Sequence, residues 1–121
     1  MMKKNKIQLG REGEKIAASY LRRNGYQIVE MNYRCRFGEI DIVARQKNTY
    51  VFVEVKTRKN SYFGRPAEAI DSFKKQHMLK VAQYYIQCHR LDGHDFRFDA
   101  IEIYFSPLKK IQVNHIQNII F

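Results

Sequence analysis

Two acidic residues and a lysine lie in neighbouring segments in which apolar and polar residues alternate. The first segment, Phe37–Arg45, contains Asp41, and the second, Thr49–Thr57, contains Glu54 and Lys56. Alternation with a period of two predicts β-strands, so Glu54 and Lys56 should project side by side from one face. Carboxylates beside a lysine can bind a divalent cation and offset the charge of a phosphate.

A short polar connection at Lys47 and Asn48 fixes which residues of the two strands face each other. A loop of two or four residues pairs Asp41 directly with Glu54, with Cβ atoms about 4.5–5.5 Å apart. Two carboxylates at this spacing repel each other unless a cation lies between them, and oxygen ligands suit Mg²⁺ or Mn²⁺. The register therefore predicts a metal site.

The spacing also allows a simpler interpretation, in which the charged residues form a solvated strand face. The same register places Glu39 opposite Lys56, and the two could form an ordinary cross-strand ion pair. Alternation predicts that one face of the first strand carries Glu39, Asp41 and Val43, and the other Ile40, Ile42 and Ala44. The spacing alone leaves both interpretations open.

The remaining sequence predicts the elements that hold these strands. We expect helices at Leu9–Asn24, ending before Gly25, and at about Ala67–His89, and further strands at Tyr26–Met31, Phe96–Phe105 and Lys109–Ile116. The order α-β-β-β-α-β-β predicts an α/β fold, with a central mixed five-stranded sheet and a helix on each face. The length of 121 residues favours a single domain spanning residues 1–121.

Composition narrows the class of partner. The chain has 22 Lys and Arg against 12 Asp and Glu, a formal charge of +10, which suits nucleic acid better than a membrane surface. No apolar run approaches the roughly 18 residues of a membrane helix. The N-terminal lysines precede no apolar segment typical of a secretory signal, so we expect a cytoplasmic location. Cys35 and Cys88 are expected to be reduced thiols.

The strand residues also carry a family resemblance. Gly38-Glu39-Ile40-Asp41 followed by Phe52-Val53-Glu54-Val55-Lys56-Thr57-Arg58 resembles the D…ExK signature of the PD-(D/E)xK nuclease superfamily. The chain resembles more closely the YraN-like uncharacterised bacterial family, which is similar to the archaeal Holliday junction resolvases. Further matching landmarks are Gly13-Glu14, Ala17, Leu21, Asn32, Arg34, Phe63-Gly64, Lys75 and Arg97-Phe98-Asp99. Ile40 stands where the superfamily sometimes has a proline.

The resemblance implies a restriction-endonuclease-like three-layer α/β/α domain and a metal-dependent nuclease acting on DNA, including branched DNA. Asp41, Glu54 and the backbone carbonyl of Val55 would hold Mg²⁺ or Mn²⁺. Lys56 would orient the attacking water or stabilise charge on the phosphate. A resolvase-like enzyme acting on branched DNA would use two copies of the chain, one for each strand, which leaves a homodimer as an open alternative.

Two further residues are candidates for the same site. Glu14 borders the apolar stripe of the first helix and would reach the site, although a capping or surface glutamate is also consistent with its position. Lys75 lies one turn before the apolar face of the second helix, where a lysine either extends to water or enters a polar site.

Several arginines and lysines could contact DNA phosphates, although each taken singly is also consistent with a solvated charge. The candidate nucleic-acid-binding residues are Arg34, Arg36, Arg58, Lys59 and Arg65. Two other functions remain open, a nucleic-acid-binding module without catalytic turnover and an adaptor in a DNA repair or processing complex. The intact set of Asp41, Glu54 and Lys56 favours the enzyme.

Overall fold

The computed structural model describes residues 5–58, 72–106 and 110–120, which form two helices and five strands. Their bounds are α1 Lys6–Arg23, β1 Gln27–Cys35, β2 Gly38–Gln46, β3 Thr49–Arg58, α2 Ser72–Cys88, β4 Asp95–Phe105 and β5 Ile111–Ile116. The predicted order of elements is confirmed. The main difference in length is β1, which continues beyond its predicted end as far as Cys35.

Helix α1 begins earlier than predicted because a capping box precedes it. The Asn5 side chain accepts a hydrogen bond from the Gln8 backbone N–H (2.8 Å), and the Gln8 side chain accepts one from the Asn5 N–H (3.0 Å). The helix stops at the predicted glycine. Gly25 adopts φ +87°, and the Tyr26 N–H donates to the Leu21 carbonyl (2.9 Å), as in a Schellman motif.

The five strands form one mixed sheet in the order β1-β2-β3-β4-β5. All neighbours are antiparallel except β3 and β4, which run parallel and flank α2 in the chain. The predicted hairpin register is confirmed, because β2 and β3 pair from Gln46 with Thr49 to Ile42 with Val53.

Each face of the sheet is covered by one helix, so the predicted three layers are confirmed. On one face, buried residues of α1 pack against Ile42, Val51, Val53 and Ile101. On the other, buried residues of α2 pack against Ile40, Val43, Phe52 and Phe98. Within the described residues, no helix combines the length and apolar character that a membrane span requires.

The predicted alternation along β2 is wrong at Ile40. Ile40 packs with Val43 on the α2 side, whereas Ile42 packs on the α1 side. Asn32 of β1 adopts φ +55°, and it lies between the two pairs that join β1 to Ile42 and Ile40. The left-handed residue interrupts regular alternation opposite Asp41. The strands are thus distorted at the position of the predicted site.

A buried carboxylate fastens the far edge of the sheet. Asp99 is fully buried, and its side chain is bound by Arg97 Nε (3.0 Å), His115 Nε2 (2.7 Å) and the Asn118 backbone N–H (3.2 Å). Burial raises the pKa of Asp99, but the hydrogen bonds from His115 and Arg97 outweigh it and hold that pKa below its usual value. The carboxylate therefore ties β5 and the residues after it to β4.

Candidate metal centre and active site

Asp41 lies where β2 and β3 stop pairing. The ladder between them ends at Ile42 and Val53, and beyond it the Asp41 Oδ2 accepts a hydrogen bond from the Val55 N–H at 2.8 Å. The Asp41 side chain thus accepts the hydrogen bond that a β2 backbone carbonyl would accept from the Val55 N–H if the ladder continued. The side chains of Asp41 and Glu54 also interact, since each affects the pKa of the other. The structure therefore brings together the two acidic residues that the sequence pairs.

Burial makes both carboxyl groups costly to ionise, and the charge of Asp41 adds to that cost for Glu54. Burial raises the pKa of Asp41, although the Val55 N–H and the charge of Lys74 partly offset this effect. Burial and the neighbouring Asp41 raise the pKa of Glu54 to about 7. Near neutral pH the pair therefore tends to hold a proton, and a cation is the natural replacement for that proton.

Lys74 is the lysine of α2 that the structure places against Glu54. Its Nζ lies 3.3 Å from the Glu54 Oε1. The sequence pointed instead to Lys75, which is half-buried one position further along α2. The buried stripe of the helix consists of Met78, Val81, Ala82 and Tyr85. The sequence predicts an apolar face at Met78, Leu79, Ala82 and Ile86, about one residue later than the observed stripe. Lys74, four residues before Met78, therefore takes the position expected for Lys75.

Lys56 follows Glu54 on the same strand, and its charge lowers the pKa of Glu54. The alternative prediction, an ion pair between Glu39 and Lys56, is not supported. Glu39 instead forms an ion pair with Arg34 across β1 and β2 (3.0 Å). On its other side Lys56 lies beside Glu102 of β4. Glu102 is buried and accepts a hydrogen bond from Asn114 (2.8 Å), a polar burial that the apolar character of β4 did not indicate.

Glu14 reaches the same cluster from α1. Burial and the charge of Asp41 raise the pKa of Glu14, while a hydrogen bond with the Asn32 side chain lowers it. The preceding residue allows this approach, because a Cβ at Gly13 would overlap the Thr57 hydroxyl. A capping role for Glu14 is wrong, since Asn5 caps the helix more than two turns earlier.

The donor set fits a hard cation that retains much of its water. Among the described residues no three His, Cys, Asp or Glu side chains converge as a preformed metal cage. Asp41 and Glu54 supply two carboxylates, and the Val55 carbonyl remains the predicted further ligand. Mg²⁺ is commonly bound through one or two carboxylates together with waters and substrate phosphates. The residues present therefore fit Mg²⁺ or Mn²⁺ better than Zn²⁺, which takes cysteine and histidine.

The predicted DNA-contacting residues fall in different places. Arg34 is exposed and paired with Glu39. The Arg36 guanidinium stacks over Phe37, 4.9 Å from the ring centroid. Arg58 is half-buried, and its Nη2 lies 4.0 Å from the Glu102 Oε2. Part of the Arg58 charge is therefore directed toward the interior of the fold. Lys59 and Arg65 lie outside the described residues.

Comparison with known proteins now identifies the family. The profile of the Uncharacterised protein family UPF0102 matches residues 13–103. The chain belongs to this family. The match confirms the resemblance to the YraN-like, PD-(D/E)xK nuclease-like family. It also spans the stretch in which Glu14, Asp41, Glu54 and Lys56 come together.

Relatives in this family match the chain over nearly its full length. It is 50% identical to a UPF0102 protein of Caldanaerobacter subterraneus subsp. tengcongensis over 120 residues, which cover 98% of both chains. It is 43% identical to a UPF0102 protein of Caldicellulosiruptor saccharolyticus, over 94% of this chain and 98% of the other. A Clostridioides difficile UPF0102 protein is also 43% identical, over 94% and 97%.

One solved structure is similar at low identity. It is Pyrococcus furiosus SfsA in complex with Ca²⁺, with a TM-score of 0.47 and 12% sequence identity. The match covers 88% of this chain and 63% of the SfsA chain, less than two thirds of the latter.

Proposed function

We propose that this UPF0102 protein is a Mg²⁺- or Mn²⁺-dependent nuclease that hydrolyses phosphodiester bonds in DNA, with branched or otherwise structured DNA as the preferred substrate. The observation that supports the proposal is the pairing of Asp41 and Glu54 at the distorted end of the β2–β3 ladder. Two carboxyl groups held together in a largely buried position are costly for a fold. Such an arrangement is typical of a site that binds a cation.

Each side chain of the cluster has a distinct role in this proposal. Asp41, Glu54 and the Val55 carbonyl would hold the metal ion. When bound, a metal ion acts as a Lewis acid toward phosphate and lowers the pKa of coordinated water. Lys56 lies beside these ligands and would offset negative charge that grows on the phosphate during cleavage. Glu14 would accept a proton or orient water from the α1 side.

The charges around the cluster suit a polyanionic substrate. The chain carries a formal +10, and Lys74 and Lys56 both act electrostatically on Glu54. Lys74 would release Glu54 to the metal ion and contact the substrate phosphate instead. Lys75, on the next position of α2, remains a proposed second cation. Cleavage of a branched substrate would use two copies of the chain, one for each strand.

The test is a cleavage assay with purified protein on branched, duplex and single-stranded DNA and on RNA. We expect cleavage of DNA with Mg²⁺ or Mn²⁺, no cleavage with EDTA, and loss of cleavage in Asp41→Asn. Lys15→Ala, which removes an exposed charge from α1, serves as the control and should cleave normally. Binding of DNA without cleavage under any of these conditions would instead support the non-catalytic binding module.

A further inference from the structure

A second surface combines aromatic rings with positive charge, away from the carboxylates. It is a pocket of about 600 Å³ between the β1–β2 turn and the outer side of α2, lined by residues that include Arg36, Phe37, Lys80, Tyr84 and Cys88. None of the described residues that line it is acidic. We call this surface the aromatic pocket.

The aromatic pocket is built around an arginine that lies over two rings in contact with each other. The Arg36 guanidinium lies 4.9 Å from the Phe37 ring centroid and 6.0 Å from that of Tyr84. The two rings meet edge to face, with centroids 5.6 Å apart. Phe37 is 36% exposed, a large apolar side chain left open to solvent at a turn. Rings and guanidinium groups in this arrangement provide stacking surfaces for nucleobases.

The pocket lies within reach of the carboxylate cluster. Phe37 immediately precedes β2, which carries Asp41, and α2 carries both Lys74 and Tyr84. Tyr84 lies ten positions after Lys74 on the helix, or about 15 Å along its axis. This span corresponds to roughly four stacked nucleotides of a DNA strand. A smaller pocket is lined by Gly38, Glu39, Lys74 and His77, so it is formed by the strand that carries Asp41 and the helix that carries Tyr84.

We propose that the aromatic pocket binds an unpaired nucleotide of the DNA substrate a few positions from the scissile phosphate. Phe37 and Tyr84 would stack on the base, and Arg36 and Lys80 would contact the phosphates on either side. A base within a duplex has its faces covered by its neighbours, so the pocket selects single-stranded or splayed DNA. This inference rests on the proposed function and narrows its substrate to DNA with unpaired bases.

The test measures binding in EDTA, so that it does not depend on cleavage. Two labelled oligomers of equal length are compared, oligo-dT and an abasic phosphodiester backbone of the same charge. The variants Phe37→Leu and Tyr84→Leu should weaken oligo-dT binding about 5- to 150-fold and leave abasic binding nearly unchanged. Phe37→Tyr and Tyr84→Phe, which keep a ring, should bind oligo-dT nearly as well as wild type.

The proposed contact between Lys80 and the DNA phosphates is tested with two exposed lysines, one on each of the helices that cover opposite faces of the sheet. Lys80→Ala should weaken both oligomers, whereas Lys15→Ala on α1 should weaken neither appreciably. Equal loss in the two lysine variants would mean that only total charge matters, and it would overturn the site. An oligo-rU that binds more tightly than oligo-dT would contradict the assignment to DNA.

A footprint keeps the proposal testable if a ring variant fails to fold. The chain has two cysteines, and Cys88 is exposed in the pocket. In a Cys35→Ser protein, oligo-dT should slow the reaction of Cys88 with a thiol reagent, and the abasic oligomer should do so much less. Unchanged reactivity would overturn the proposal. If the protein cleaves DNA but the ring variants bind oligo-dT as well as wild type, the aromatic pocket proposal is contradicted and the nuclease proposal is not. If binding depends on the rings but no DNA is cleaved, the nuclease proposal is contradicted and the aromatic pocket proposal is not.

Discussion

Replacing Glu54 with glutamine should make the protein more stable and inactive at once. The pKa of Glu54 is raised from 4.5 to about 7, chiefly by burial and by Asp41. Each pKa unit corresponds to about 1.4 kcal/mol, so ionised Glu54 costs the fold on the order of 3 kcal/mol. The attraction of Lys74 lowers the pKa of Glu54 and is therefore already included in this cost. We expect a gain of roughly 3 kcal/mol at pH 8.

The gain must depend on pH in a definite direction. Below the unfolded pKa of 4.5 both states of wild type hold the proton, and Glu54 costs nothing. As pH rises from 4.5 to about 7, the unfolded chain loses the proton first, so the free energy of unfolding of wild type falls. The stabilisation by Glu54→Gln should therefore grow by roughly 2 kcal/mol between pH 5 and pH 8.

Urea unfolding in EDTA at these two pH values measures the effect. Glu30→Gln, on β1 and outside the carboxylate cluster, is the matched control and should show no comparable growth with pH. Cleavage assays on the same preparations should show that Glu54→Gln is inactive. A gain that is equal at both pH values, or a loss of stability at pH 8, would refute the reasoning from burial and charge repulsion.

The other predictions concern the metal, the lysine and the approach of α1. Mn²⁺ binding to wild type should strengthen from pH 6 to pH 8 and release close to one proton at pH 6, because Glu54 must ionise; calorimetry in two buffers measures this. Lys56→Ala should reduce single-turnover cleavage by about 10²–10³ while DNA affinity changes little. DNA affinity should fall steeply with salt, with a log–log slope of about −0.9 for each phosphate neutralised on duplex DNA. Gly13→Ala should reduce cleavage and stability by pushing α1 from β3, and a second substitution, Thr57→Ala, should restore both.

The sequence was sufficient to predict the topology and the β2–β3 register that brings Asp41 close to Glu54. Both follow from local signals, namely alternation along two strands and the length of the loop between them. The predicted register agrees with the structure at every pair from Gln46 to Ile42. Strand pairing depends on backbone geometry, which residue pattern determines well.

The parts that could not be predicted depend on the rotation of one helix, the backbone conformation of one residue and one tertiary contact. Lys74 rather than Lys75 meets Glu54 because the buried stripe of α2 is displaced by one residue, or about 100° around the helix. The distortion opposite Asp41 depends on the left-handed conformation of Asn32, which asparagine tolerates but does not require. The hydrogen bond from Asn32 to Glu14 is a consequence of tertiary contact and has no signal in the sequence.

The bonds around Asp99 have a consequence for how the chain is completed during synthesis. This carboxylate lies inside the fold but is bound by His115 and Asn118, which the ribosome adds sixteen and nineteen residues later. A nascent chain that stops short of them would have to bury a charge with Arg97 as its main partner, at a cost of several kcal/mol. We therefore expect the chain to complete its folding only after residue 118 has left the ribosome exit tunnel. Strands β1–β4 should not reach their final packing before β5 is available.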